Sequence, residues 1–320
     1  MFSSNEWDPL KKVIVGRADY AKIPPLDISL RTVNYANILD TDDIPEGNYP
    51  QQVIDEANED LGIFCKFLTD AGVEVVRPNN VPTEYYNYCP RDLVVVHNDK
   101  SLAAPMALKS RDTEFMHIAS HLSNLTVAPN PQDMELYNLN CVGDPEILAL
   151  KEYYPKFDAA NVLRANNDFL YLVSNSGNKA GAELLRNEFN VNVHLLEGVY
   201  SYMHIDSTVA FLREGLMLLN PSRITDINLL PEPFRSWDYI MCPEPIETIT
   251  DHYQGYCNSS KWINMNLLSI NPNLAVIEEN QHNLREELEK HNIECAMLPM
   301  RQQRTLGGGF HCVTLDLVRA

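Results

Sequence analysis

A cysteine close to the end of the sequence lies in a run that could carry nucleophilic chemistry. Cys312 ends the run Gly-Gly-Gly-Phe-His-Cys, and a cysteine thiolate is a strong nucleophile once a neighbouring cation lowers its pKa. His204, in the run Met-His-Ile-Asp, is of the residue type that can protonate a leaving group and deprotonate an incoming one. These two residues predict covalent catalysis by a thiol, with an imidazole transferring the protons.

Three aspartates complete the set and indicate what the thiol would attack. Asp158 could orient the His204 imidazole, which leaves Asp92 and Asp206 as a pair of carboxylates. Such a pair repels anions and suits a planar cation with several N–H donors, which is the geometry of a guanidinium group. Attack by Cys312 on a guanidinium carbon would give a thiouronium group and release an amine.

A repeated unit must bring these residues together. Residues 161–196 and 266–299 share one order, in which a strand, a polar turn and a second strand precede a helix and a third strand. Residues 92–129 and 207–243 fit the same order, with helices predicted around 114–122 and 226–230. A fifth unit would join the two ends, from strands at 311–319 and 10–16, a helix at 51–71 and a strand at 73–78.

A ring of five ββαβ modules, closed by the two chain ends, follows from this repeat. Closure leaves no exposed sheet edge, and modules too small to bury their own apolar faces must fold together. We therefore predict an α/β fold in one domain over residues 1–320, with residues 19–50 as a loop excursion over one face. The polar residues that precede the first strand of each module would then face one central channel: Asp92, Asp158, His204, Asp206, Ser259, Ser260 and Cys312.

Runs along most of the chain resemble the glycine amidinotransferase family, which moves the amidino group of arginine to an amine. The matching runs include CPRDLVVV (89–96), FDAANVLRA (157–165), MHID (203–206), SSKWINMNLL (259–268) and LGGGFHC (306–312). The resemblance implies a five-bladed pseudo-symmetric α/β propeller of the pentein type and a ping-pong reaction. It also implies a homodimer and a site without cofactor or metal.

The resemblance also assigns roles. It implies that Cys312 carries the amidino group, that His204 is the general acid and base, and that Asp158 is the carboxylate partner of His204. It further implies that Asp92 and Asp206 hold the guanidinium group of arginine. The amino-acid end of arginine would be bound by Arg223, Ser259 and Ser260.

Two positions depart from the family pattern. Asn161 stands where the family commonly has a second aspartate, which leaves the role of Asp158 intact. Members that use glycine resemble Asn-x-Met-His before the histidine, whereas this chain has Ser-Tyr-Met-His. Ser201 and Met203 are therefore predicted to border an acceptor amine other than glycine, as in family members from toxin and antibiotic pathways.

Composition excludes several partner classes. Lys and Arg number 25 against 44 Asp and Glu, a net charge of −19, which argues against nucleic acid and anionic membranes as partners. No run approaches the about 20 apolar residues of a membrane span, and the beginning shows no targeting pattern. Seven cysteines without a Cys-x-x-Cys pair indicate a reducing compartment, so we expect a cytoplasmic enzyme acting on small molecules.

Other interpretations stay open at this level. A hydrolase related to arginine deiminase would use water as the acceptor, but that family places Glu-Gly-Gly-Asp where residues 157–160 are Phe-Asp-Ala-Ala. A non-catalytic arginine-binding protein would need no thiol. His117 and His121 have the i, i+4 spacing of a zinc site but no acidic or thiol companion, which favours a solvated helix face.

Overall fold

Five three-stranded sheets form the core of the protein in a computed structural model that describes residues 2–200, 202–246 and 255–320. We call these sheets blades 1 to 5. Blade 1 contains Leu10–Val15, Glu74–Val76 and Thr314–Arg319, and blade 2 contains Val94–His97, Lys100–Ala103 and Leu125–Val127. Blade 3 contains Val162–Ala165, Asp168–Leu172 and Asn192–Leu196. Blade 4 contains Val209–Arg213, Leu216–Leu219 and Asp238–Met241, and blade 5 contains Leu268–Asn271, Leu274–Glu278 and Glu294–Leu298.

Every blade has the same pairing. An antiparallel pair is followed by a parallel third strand, which is the ββαβ order that the repeat predicts. Blade 1 joins the two chain ends as expected, because Thr314–Arg319 pairs with Leu10–Val15. The inner strands are buried along nearly their whole length, so each blade packs its apolar side chains against its neighbours rather than against solvent.

Helices cover the outside of the blades where their apolar stripe can be buried. The α-helices are Ile28–Val33, Gln51–Asp70, Lys179–Phe189, Glu232–Arg235, His282–Lys290 and Gln303–Leu306. The three longest, Gln51–Asp70, Lys179–Phe189 and His282–Lys290, confirm the helices predicted for the modules that form blades 1, 3 and 5. No helix among the described residues is long and apolar enough to cross a membrane.

Three predicted segments differ in detail. The helix expected at 114–122 is two 3-10 turns, Glu114–His117 and Ala119–His121, and the inward bonds of Glu114 to Tyr86 N and Arg111 hold the first turn. The helix expected at 226–230 is a 3-10 turn, Ile227–Leu229, followed by Glu232–Arg235. Residues 19–50 include the helix Ile28–Val33, capped by Asp27, and a ladder of Lys22–Ile23 with Gly47–Asn48.

Short turns at the entrance of the first strands position the central residues. They are the 3-10 turns Pro90–Asp92, Ala159–Asn161, Ile205–Ser207 and Lys261–Met265. The first turn contacts the second, the second contacts the third, and the third contacts the fourth. Residues in these turns, or immediately before them, therefore meet near the centre of the ring.

Candidate active site

The centre of the ring brings together three of the predicted groups. One ligating atom each of Asp92, His204 and Cys312 lies within 4.8 Å of the others. A cavity of about 520 Å³ opens onto this centre, and its lining includes Cys312, His204 and Asp206. Buried Asp158 completes the group behind the histidine. The ring thus produces the convergence that the repeat predicted.

Cys312 is held from two sides. Its Sγ donates to Asp206 Oδ2 at 3.1 Å, and Asn266 Nδ2 donates to the same sulfur at 3.1 Å. The Oδ1 atom of Asn266 accepts the backbone N–H groups of Gly309 and Cys312, at 3.1 and 2.9 Å. One amide therefore fixes both the loop that carries Cys312 and the position of its sulfur.

Close packing explains two of the three glycines before Cys312. A Cβ on Gly309 would lie 2.9 Å from the carbonyl oxygen of Asn266, and a Cβ on Gly308 would lie 2.5 Å from the Sγ atom of Cys89. Neither distance is sterically possible without a shift of the loop. The Gly-Gly-Gly run is therefore needed to bring the loop against Asn266 and Cys89.

The surroundings of Cys312 favour its protonated thiol. The adjacent sulfur of Cys89, burial and the negative charge of Asp206 raise the pKa of Cys312 well above its ordinary value. Asp206 remains ionised: burial acts against its charge, but the hydrogen bond and charge of His311 lower its pKa to about 2. A cation placed beside the sulfur would favour the thiolate.

His204 lies between two buried carboxylates. Its Nε2 is 3.0 Å from Asp158 Oδ2, and its Nδ1 is 3.7 Å from Asp92 Oδ1. Burial favours the neutral imidazole, but the charges of Asp92 and Asp158 outweigh burial, so the pKa of His204 is raised well above its ordinary value. The ring can thus donate a proton next to the Cys312 sulfur.

Two carboxylate oxygens at this centre lack a donor. Among the described residues, Asp92 Oδ1 and Asp158 Oδ1 are buried without a hydrogen-bond partner. Arg111 occupies the other oxygen of Asp92 at 2.6 Å and is held in turn by Glu114 at 2.8 Å. Because a buried acceptor without a donor is costly, the free oxygen of Asp92, which lies in the cluster with His204 and Cys312, suits a ligand that brings N–H groups.

Arg223 and Ser260 form a second polar group in the same region. Arg223 Nη1 donates to the hydroxyls of Ser207 and Thr208, both at 2.8 Å, and Nη2 donates to Ser260 Oγ at 3.1 Å. Its guanidinium lies 3.5 Å from the centre of the Tyr200 ring. Within the part of the chain that the structure describes, no carboxylate lies within ion-pair distance of Arg223, although the charge of Asp206 acts on it from further away.

The remaining predicted residues have different positions. Ser259 lines the cavity, and its buried Oγ has no partner among the described residues. Met203 also lines the cavity, and its carbonyl accepts from Ser174 Oγ at 2.6 Å. Ser201 lies outside the described residues. Asn161, which stands where the family commonly has an aspartate, is buried, and its Nδ2 donates to Leu172 O and Ser174 Oγ.

Sequence reasoning missed three residues of this centre. Asn266 directly follows the entrance turn Lys261–Met265 of blade 5, but the repeat singled out Ser259 and Ser260 there instead, and Arg111 lies in a polar stretch between the second and third strands of blade 2. His311 was visible only as the neighbour of Cys312, yet its Nδ1 is 3.0 Å from Asp206 Oδ2 and its Nε2 is 3.5 Å from Glu6 Oε2. The adjacency of His311 to the nucleophile was the one signal that could have indicated it.

The pair with zinc-like spacing does not form a joint site. His117 Nδ1 contacts Asn87 Oδ1 at 2.7 Å, whereas His121 Nε2 contacts Arg77 O at 3.3 Å. Both rings are partly buried, so the expectation of a solvated helix face is wrong in detail. The two histidines instead attach the turns of blade 2 to residues 77 and 87.

The blades and their central thiol, imidazole and carboxylates define the class, a five-bladed α/β propeller with a site at its axis. Inosamine-phosphate amidinotransferase 1 of Streptomyces glaucescens is 40% identical, over 98% of this chain and 95% of its own length. The mitochondrial glycine amidinotransferase of Xenopus tropicalis is 30% identical, over 99% of this chain and 82% of its own. No protein-family model matches the chain.

A solved structure gives the same result. The inosamine-phosphate amidinotransferase of Streptomyces griseus superposes with a TM-score of 0.90 at 38% identity, covering 100% of this chain and 97% of its own. The chain belongs to the amidinotransferase family and is a transferase.

Proposed function

We propose that the enzyme takes the amidino group from L-arginine, carries it on Cys312 and delivers it to an acceptor amine. The observation that carries this proposal is the convergence of the Cys312 thiol, the His204 imidazole and Asp92, whose Oδ1 is buried without a hydrogen-bond partner among the described residues. A guanidinium group supplies N–H donors in the fork geometry that carboxylates bind well. Asp206, which stays ionised beside the sulfur and lines the cavity, adds the second carboxylate.

The other end of arginine is assigned to the second polar group. Arg223 forms no ion pair among the described residues, and its guanidinium is positioned by hydrogen bonds to Ser207, Thr208 and Ser260. Its guanidinium and the unpartnered hydroxyl of Ser259 suit the α-carboxylate. Arginine would then extend from Cys312 to Arg223. Contacts at both of its ends would hold the guanidinium carbon next to the sulfur.

In the first half-reaction, the Cys312 sulfur replaces the ornithine nitrogen on the amidino carbon. The cationic guanidinium favours the Cys312 thiolate, whose sulfur attacks the guanidinium carbon to form a C–S bond. His204 protonates the departing nitrogen, the C–N bond breaks, and ornithine leaves. The thiol proton replaces the one that His204 gave up, so the half-reaction moves that proton from sulfur to the leaving nitrogen.

The second half-reaction runs in reverse with a different amine. The acceptor nitrogen attacks the amidino carbon, the C–S bond breaks, and His204 passes the proton of the acceptor back to Cys312. Asp158 holds the His204 ring through the 3.0 Å contact in both steps. Atoms and protons balance without a metal or cofactor, and extended dialysis against EDTA should leave the rate unchanged.

The acceptor is proposed to be an amine other than glycine, in a secondary-metabolite or toxin pathway. Tyr202 and Met203, from the run Ser-Tyr-Met-His that departs from the glycine-using pattern, line the cavity beside His204. The relatives named for inosamine phosphate are more similar than the glycine enzyme, at 40% against 30% identity. An amidinotransferase of the saxitoxin pathway from Microseira wollei superposes at TM-score 0.88 and 27% identity, covering 99% of this chain and 97% of its own. We also propose that the enzyme is a cytoplasmic homodimer.

The test is mass spectrometry of the enzyme mixed with arginine alone. We expect one equivalent of ornithine per active site and an amidino adduct on the peptide that contains Cys312. Cys312→Ser should abolish both, whereas Cys295→Ser, a half-buried cysteine of blade 5, should leave both intact. Absence of the burst would refute the proposal, and continuous citrulline formation without an amine would indicate a hydrolase instead.

A further inference from the structure

A smaller cavity lies directly beside the active-site cavity. It holds about 170 Å³ and shares Asn37 and Tyr202 with the larger one. We call it the side chamber. Its polar lining comes from Asn37, Asp144, Asn175 and Tyr202. Because Asn37 and Tyr202 line both spaces, the side chamber adjoins the cavity that contains Cys312.

Hydrogen bonds between three chain segments shape the side chamber. Gly143 N donates to Ala36 O at 2.7 Å, which ties residues 139–145 to the segment after helix Ile28–Val33. Asn175 Oδ1 accepts from Ala149 N at 2.9 Å, and its neighbour Ser174 donates to Met203 O at 2.6 Å. The walls are therefore held in place by the fold itself.

Arginine, in the placement proposed above, leaves this space unused. Its α-carboxylate end lies toward Arg223 and Ser260, which belong to the entrances of blades 4 and 5. The side chamber is lined instead by residues 36–39, residues 141–145, Asn175 of blade 3 and Tyr202, and it shares no lining residue with the Arg223 group. A second substrate that attacks at the same sulfur can extend in this other direction.

The lining determines which chemistry fits there. Asp144 presents a carboxylate, and Asn37, Asn175 and Tyr202 present amide and phenol groups. A carboxylate attracts ammonium groups, accepts hydrogen bonds from hydroxyls and repels anions. The amide and phenol groups can bind a hydroxyl as donors or as acceptors.

We infer that the side chamber binds the far end of the acceptor, which is a primary amine bearing a second ammonium or hydroxyl group rather than an anionic one. This inference rests on the proposed function, since it names the acceptor class for the same sulfur. The reacting amine lies at Cys312, and the second polar group passes Tyr202 to reach Asp144.

A matched series of four-carbon amines tests this. The amidino-enzyme is prepared with arginine, freed of ornithine, and mixed with 1,4-diaminobutane, 4-amino-1-butanol, butylamine or 4-aminobutyrate. The guanidino product is measured by mass spectrometry. We expect the first two to react faster than butylamine, and 4-aminobutyrate to react slowest. Hydroxylamine, too short to reach the side chamber, reports on the chemistry at Cys312 alone.

A variant of the chamber carboxylate separates its role from the chemistry. Asp144→Asn should lower the rate with 1,4-diaminobutane about fivefold, the scale of one solvent-accessible ion pair, and should raise the rate with 4-aminobutyrate. Its ornithine burst and its rate with hydroxylamine should not change. Glu146→Gln, which removes an exposed charge two residues away outside the chamber lining, is the matched control and should behave as wild type.

The outcomes are distinguishable. If wild type gives the ornithine burst but reacts equally with all four amines, or if Asp144→Asn changes none of their relative rates, the side chamber is not an acceptor site. If wild type gives no burst with arginine, the proposed function itself fails before any acceptor is added.

Discussion

Two histidines approach the nucleophile, and each lies between two carboxylates. His204 lies between Asp158 and Asp92, and His311 lies between Asp206 and Glu6. In both cases, burial favours the neutral ring, but the carboxylates raise the pKa of the histidine above its ordinary value. By charge and distance alone the two arrangements are close equivalents.

Their surroundings differ in what remains available to a ligand. Asp92 and Asp158 each keep one buried oxygen without a partner among the described residues, and His204 lines the cavity. Glu6 is instead occupied by Arg164, at 2.7 Å, and by Arg91, at 3.5 Å. Arg164 and Arg91 also pair with Asp316, so the carboxylates behind His311 belong to a closed ionic network.

The comparison teaches that the same charge pattern can serve two purposes. Around His204 the pattern leaves acceptors for a substrate and a proton donor at the cavity wall. Around His311, arginines occupy Glu6, and the hydrogen bond and charge of His311 keep Asp206 ionised next to Cys312. We therefore treat His204 as the proton carrier and His311 as a positioning residue that acts through Asp206.

The largest effect is expected from His204→Asn. Loss of the acid and base should slow both half-reactions by about 10²- to 10⁴-fold, the usual contribution of a general acid or base. Rapid-quench measurement of ornithine release, and of product formation from the separately prepared amidino-enzyme, would check this. A variant impaired in only one half-reaction would contradict a shared proton carrier.

A smaller and different effect is expected from His311→Asn. Because Asp206 loses its hydrogen bond and a neighbouring positive charge, arginine binding should weaken, with kcat/KM for arginine falling about tenfold to a hundredfold, the scale of one charge-assisted hydrogen bond. Most of the loss should appear in KM, and the adduct should still form at saturating arginine. A loss confined to kcat, equal to that of His204→Asn, would instead make the two histidines functional equivalents.

The smallest effect concerns stability and sharpens the role of Asp206. Its folded pKa of about 2 lies below the ordinary aspartate value of about 4. This carboxylate therefore contributes stability that is fully present above about pH 4 and is lost as the pH falls toward 2. That contribution is on the order of 2 kcal/mol. Urea unfolding of wild type and Asp206→Asn should show a difference that shrinks between pH 4 and pH 2. A difference independent of pH would mean that the lost contact is not electrostatic.

Much of the fold was determined by the sequence alone. The alternation of two short strands, a helix and a third strand is a local pattern, because strand and helix periodicities are written in consecutive residues. The split module of blade 1 and the strand-entrance position of Asp92, Asp158, His204, Asp206 and Cys312 followed from counting that pattern. Where local signals were weak, as at residues 114–122 and 226–230, 3-10 turns replaced the predicted helices.

Only the tertiary structure decided which side chains touch the sulfur and what they leave unpaired. Asn266 reaches Cys312 across 46 residues of sequence, and Glu6 reaches His311 from the other end of the chain. No spacing rule connects such positions, because their contact depends on how the blades close around the axis. The central position of Cys312 could therefore be predicted from the sequence. Its charge state, the two unpartnered carboxylate oxygens and the side chamber arise from packing between distant segments.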